Sequence, residues 1–234
     1  MVGEPESLDT DESLERRHRH WFDRLIMLSD GVFSIAITLL AFDLRGPAHW
    51  RGLVDIWAAI SPQLDAYALS FVVIAVYWLA HRRFFTMIVT VDAPVTVLNL
   101  VTLALVALVP AATTQVHGGG PQQASMLVYS GLVVAIGLSV AAVWGYAALV
   151  ANLVAPEVSP RVRWFLLALM VVTPPLFLVL VGSLRNPPNG LVPLALVALF
   201  LIGWRMRMWV LARLHDGAPA AEASAASTPH SSAG

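Results

Sequence analysis

Cysteine is absent from the 234 residues, and so is lysine, since all 14 basic residues are arginine. The first absence excludes disulfides, thiol catalysis and cysteine metal sites. The second excludes Schiff-base chemistry and the lysine of a phosphate-binding loop. Charge of either sign is scarce: 12% of residues are charged against 58% hydrophobic, and the mean hydropathy is +0.73. That composition excludes an ordinary soluble domain. The chain also lacks a nucleophile paired with a base, metal-ligand spacing and a glycine-rich phosphate loop, so no enzyme, cofactor, resident metal or nucleic-acid partner is expected.

What is present is a series of apolar segments separated by short polar connections, the pattern of an all-α integral membrane protein in a lipid bilayer. An acidic stretch (Glu4 to Glu15) runs into a basic one (Arg16 to His20), and neither resembles a secretory signal. The spacing predicts six membrane helices, over 24–45, 62–85, 94–113, 124–153, 162–183 and 191–211. A short interfacial helix is expected over 53–60, and Ser61-Pro62 reads as the N-cap and first residue of the second span. Gly137, Ala141 and Gly145 recur every fourth residue, a spacing that lets another helix approach closely. Pro174-Pro175 should kink the fifth span. The domain division is a charged cytoplasmic segment (1–20), a six-helix membrane domain (21–215) and a disordered small-polar tail (216–234).

The arginines orient this topology. Eleven fall on one side (Arg16, Arg17, Arg19, Arg24, Arg82, Arg83, Arg161, Arg163, Arg205, Arg207 and Arg213) and three on the other (Arg45, Arg51 and Arg185). The positive-inside rule then places both termini in the cytoplasm.

The first apolar segment is unlike a lipid-facing helix because Asp30 lies inside it, about 9 Å beyond Arg24. A carboxylate there costs at least about 2.5 kcal/mol, so it should face protein or water. At 100° per residue, Leu28, Gly31, Ile35, Thr38, Leu39 and Phe42 form one stripe, and Asp30, Ser34, Ile37 and Ala41 gather roughly opposite. With alternating span directions, Asp30, His81 and Asn99 fall in the same cytoplasmic third. A buried network of Arg24, Ser29, Asp30, His81 and Asn99, with the Trp78 indole as a donor, would satisfy groups that are costly when unpaired.

Arg24, Ser29-Asp30, Ala36 and Thr38-Leu39-Leu40 resemble the signature first helix of the transmembrane protein 175 family of potassium channels, with Leu28 where the signature has Phe. Tyr67, Ser70-Phe71, Trp78 and His81 extend the resemblance to the second helix, and Leu98-Asn99-Leu100, Pro110 and Thr113 to the third. The resemblance implies a homotetramer whose first helices line a path for potassium ions. Ile35 and Thr38 would form its narrowest part, with Leu39 beside them and Phe42 a turn outward in a place where leucine is common. It also implies that the polar network holds this helix in place. Asp43, near the outer mouth, could gather cations there, although a charge at a helix end is more often simply solvated. A single set of six spans is similar to the prokaryotic members, and so implies a multi-pass protein of the plasma membrane.

No TVGYG-type filter and no arginine-striped voltage sensor are present. Two other readings compete. Asp30 and His81 are the usual parts of a proton relay and would suit a proton-coupled permease, although the nearby arginine and amide are better suited to locking charge than to passing it. Alternatively, the first-helix stripe is only an oligomer seam of a non-conducting interaction protein.

Overall fold

A computed structural model describes residues 6–42, 44–46, 49, 51–117 and 122–183. The chain is mostly helical over this portion, and its elements in order are α1 (Glu6–Phe42), α2 (Leu53–Phe85), α3 (Ala93–Ala107), α4 (Val109–His117), α5 (Gln122–Gly145), a π-helical turn (Tyr146–Val150) and α6 (Pro160–Ser183). Among the described residues, four stretches are long and apolar enough to cross a membrane: His20–Phe42, Gln63–Phe85, Ala93–Val116 and Ala124–Val150. Helix α6 covers the expected fifth span. The expected sixth span, the tail from 216 and Asp43 lie outside the described residues.

The boundaries differ from the sequence reading in three places, each for a local reason. Helix α1 does not begin at the membrane but runs as 37 continuous residues from Glu6. No proline or glycine interrupts it before Gly31, and its early acidic residues suit a helix N-terminus. Helix α2 starts at Leu53, not at Ser61, so the expected interfacial helix is its first two turns. Proline at position 62 removes only one backbone donor. The Gln63 side chain then stitches the segment to the start of the preceding loop, donating to Ala59 O at 2.9 Å and to Arg45 O at 3.0 Å while accepting from Arg45 N at 2.9 Å. The third span is two helices: Pro110 cannot donate to the Val106 carbonyl, and the ladder breaks at Leu108.

Packing begins from loops at the end that bears Arg82, Arg83 and Arg161, here called the inner end. Residues 87–89 and 153–155 pair as the one β feature among the described residues, with Val89 N to Leu153 O at 2.8 Å and Ala155 N to Met87 O at 2.9 Å. Around this tie lies one apolar cluster, built on Leu25, Phe84, Phe85, Val95, Trp144 and Met170. A second, toward the outer end, is built on Phe33, Leu40, Ile74, Leu103, Val109 and Ile136. Lipid is as apolar as these side chains, so close backbone approach and polar contacts must do more of the joining here than in water.

Gly137 shows that approach. A Cβ at this position would run into the Pro174 ring of α6 and stand 2.9 Å from the Tyr77 hydroxyl of α2, which itself donates to Val133 O at 2.8 Å. Gly131, one face away, meets nothing within 4 Å. Gly137→Ala is therefore expected to cost about 1–3 kcal/mol by overpacking, measured as a lower unfolding midpoint in detergent. Gly131→Ala should leave the midpoint unchanged or raise it slightly.

Candidate functional site

The site is built around α1, whose two sides are treated differently by the rest of the chain. Its buried stripe is Leu25, Ser29, Phe33, Ala36 and Leu40. This corrects the expectation that the inward face runs through Asp30, Ser34, Ile37 and Ala41: Asp30 and Ile37 are half-buried and Ser34 and Ala41 exposed. The inner face is rotated toward Ser29 because the serine, not the carboxylate, meets α3.

That meeting is a directed chain of hydrogen bonds. Ser29 Oγ gives its only proton to the Leu25 carbonyl at 2.8 Å, so it must accept from Asn99 Nδ2 at 2.9 Å. Asn99 Oδ1, an acceptor only, takes the Nε2 proton of His81 at 2.7 Å. Three helices thus share one polar chain, from α2 through α3 to α1. All three side chains are buried, Asn99 completely. The His81 ring is wedged between Phe33, at 5.5 Å, and Phe85, at 4.4 Å between centroids.

Asp30 stands beside this chain with a separate partner. Its Oδ1 accepts from Trp78 Nε1 at 2.7 Å, and the guanidinium of Arg82 lies over the same indole at 5.4 Å. Arg24 is exposed, with no hydrogen-bond partner among the described residues. Of the six residues expected in the network, the structure joins five as two pieces and leaves Arg24 apart.

The other side of α1 is left exposed among the described residues. Leu28, Ile35, Leu39 and Phe42 are exposed, Ile35 by 59% and Phe42 by 79%, and Gly31 and Thr38 lie exposed between them. Thr38 Oγ1 donates to the Ile35 carbonyl at 2.9 Å. Its proton is turned into the helix, which leaves the oxygen lone pairs directed outward, the polarity that a cation requires.

Two further polar groups had gone unassigned in the sequence. In the outer half, Tyr129, Ser70 and Thr113 form a second directed chain, with Ser70 at 3.0 Å from the Tyr129 hydroxyl and 2.8 Å from Thr113, which donates to Val109 O at 2.8 Å. At the inner end, Asp92 caps α3 by accepting from Val95 N at 2.9 Å and also accepts from the Tyr146 hydroxyl at 2.8 Å. Asp92 carried the sequence signal of an N-cap two residues before a proline. Tyr146 carried none. No buried side-chain nitrogen or oxygen among the described residues lacks a partner.

Comparison with known proteins covers the same helices. The profile of the family described as endosomal/lysosomal potassium channel TMEM175 matches residues 24–110. A potassium channel of Streptomyces collinus is 34% identical over 148 residues, which span 60% of this chain and 71% of that protein. A potassium channel of Chamaesiphon minutus is 34% identical over 143 residues, 57% of this chain and 70% of that one. The crystal structure of a lysosomal potassium-selective channel TMEM175 homolog from Chamaesiphon minutus superposes with a TM-score of 0.59 and 27% identity, covering 81% of this chain and 97% of the other.

Asn99→Leu tests the polar chain. Removing the amide leaves the buried His81 N–H without its acceptor, at a cost of about 1–3 kcal/mol. Unfolding in detergent should shift accordingly, while Ser34→Ala, at an exposed position of α1, should leave it where it was. An unmoved midpoint for Asn99→Leu would mean that the amide does not join these helices.

Proposed function

The chain belongs to the TMEM175 family of potassium channels, and from that premise we propose that it assembles as a homotetramer in which the four α1 helices enclose a passive, potassium-preferring path. It is a multi-pass membrane protein and not an enzyme; the proposal adds residence in the plasma membrane. The observation that carries the reading is the unpacked stripe of α1, with Ile35, Thr38, Leu39 and Phe42 all exposed in the single chain.

A ring of four Ile35 side chains would narrow the path and exclude water unless the helices part, and a ring of Thr38 oxygens one turn outward would replace some of a cation's hydration. Helix α1 alone cannot enclose anything. Four copies around an axis can, and closed cyclic symmetry is the common way for identical chains to do so. Ser29, Asp30, Trp78, His81 and Asn99 act in this reading as the fixings of α1, and Arg24 stands exposed beside them.

The contacts favour fixing over proton relay. Asp30 bonds to an indole and His81 to a carboxamide, neither of which titrates, and the two do not bond to each other. A relay needs partners that take up and release protons.

The test is ion flux from liposomes holding the purified full chain. Ile35→Asn is expected to wet the constriction and raise potassium flux by about tenfold or more, with a smaller preference over sodium. Thr38→Val should reduce that preference while leaving assembly unchanged. If the native chain and Ile35→Asn were both silent under a potassium gradient but moved ions under a pH gradient, the channel reading would fail and the permease would replace it.

A further inference from the structure

The inner end contains a contact that the ion path does not use directly. Asp92 divides its carboxylate between two elements: Oδ1 takes the Val95 amide at the start of α3, and Oδ2 takes the hydroxyl of Tyr146 at the start of the π-helical turn. The turn itself is anchored from the other side. Ala151 N closes it on Tyr146 O at 2.9 Å, and Arg163 of α6 ties it to the loop that follows, with Nη1 donating at 3.0 Å to both Ala148 O of the turn and Asn152 Oδ1, and Nε at 3.0 Å to Val158 O. Asn152 adopts φ of 50°, a left-handed conformation that asparagine tolerates better than most residues. Trp144 Nε1 completes the joint by donating to Arg163 O at 3.1 Å.

This joint is connected to α1 by a short route. Asp92 and Asn99 are seven residues apart, two helical turns and about 10 Å along the same face of α3. Asn99 reaches Ser29, and Ser29 is six residues, about 9 Å, from Ile35. Hydrogen bonds weaken with axial slip: a shift of α3 by one residue's rise, about 1.5 Å, would stretch or misalign the bonds that the Asn99 amide makes to Ser29 and His81.

We propose that the Asp92–Tyr146 contact is a positioning contact for the ion path. It sets the depth of α3 in the bundle, and through Asn99 it sets the placement of α1 and its constriction. Tyr146 and Asp92 touch no ion and act only through α3. The proposal rests on the reading that α1 lines the path.

The contact can be separated from the cap. Tyr146→Phe removes one oxygen. Asp92→Ser keeps an N-cap oxygen for Val95 but is too short to reach Tyr146. Asp92→Asn keeps both contacts, because its amide can cap with the oxygen and donate to the tyrosine with the nitrogen. The three variants, the Tyr146→Phe/Asp92→Ser double and Ile35→Asn are compared in liposomes for potassium flux per tetramer, potassium-to-sodium ratio and unfolding midpoint.

Tyr146→Phe and Asp92→Ser are expected to change flux by about tenfold or more, the population shift that matches one hydrogen bond to a charged group. The double should move it no further than either single, Asp92→Asn should stay near the native chain, and the ion ratio should hold because the lining is unaltered. Flux unchanged in both singles overturns the proposal. So does a double whose effect is the product of the two, or an Asp92→Asn effect as large as that of Asp92→Ser, since charge rather than contact would then be responsible. Loss of flux that only tracks a lowered unfolding midpoint overturns it as well. If Ile35→Asn raises flux while the clasp variants do nothing, this inference alone fails. If Ile35→Asn is also silent, it is the assignment of α1 to the path that fails.

Discussion

A carboxamide with no water to turn to must find its partners in protein, and Asn99 finds them on two other helices at once. In a bilayer an amide left without them costs several kcal/mol, and the apolar surfaces around it offer little reason to prefer a neighbouring helix to a lipid chain. The spacing of α1, α2 and α3 is therefore governed more by one buried side chain than by the area that they bury. The direction of each bond follows from the donors available: histidine to asparagine to serine to backbone carbonyl.

That constraint gives α1 its two-sided character. Its Ser29 face is pinned by polar bonds and filled by Phe33, Ala36 and Leu40, while its Ile35 face is left exposed among the described residues. A helix held from behind and open in front is suited to facing copies of itself, because its position is settled before assembly. The outer hydroxyl chain of Tyr129, Ser70 and Thr113 repeats the device between α2, α4 and α5, close to the break at Leu108 where the backbone ladder contributes least.

Much of this was legible in the residues. Asp30 inside an apolar run showed that α1 does not face lipid alone, and period 3.6 gathered the stripe of Ile35, Thr38, Leu39 and Phe42 that the structure leaves unpacked. The inner face was misplaced because the eye goes to the charge: Asp30 needs only the edge of the protein, where Trp78 can reach it, whereas the smaller Ser29 fits the close crossing with α3. Partners such as Ser70 and Tyr129, 59 residues apart, leave no mark in local spacing. The start of α2 was hidden for another reason. Ser61-Pro62 is a good helix opening by local rule, and only the continuation upstream to Gly52 shows that the rule was overridden.

The length of α1 acquires a mechanical meaning once Ser29 is taken as a fulcrum. From Glu6 to that serine the rod measures about 35 Å, and from the serine to Ile35 about 9 Å. Such a rod is a reduction lever of roughly four to one. Turned rigidly about that serine, a sideways excursion of about 4 Å at Glu6 would arrive at Ile35 as about 1 Å, in the opposite direction, so that a coarse push on the long arm would become a fine adjustment on the short one.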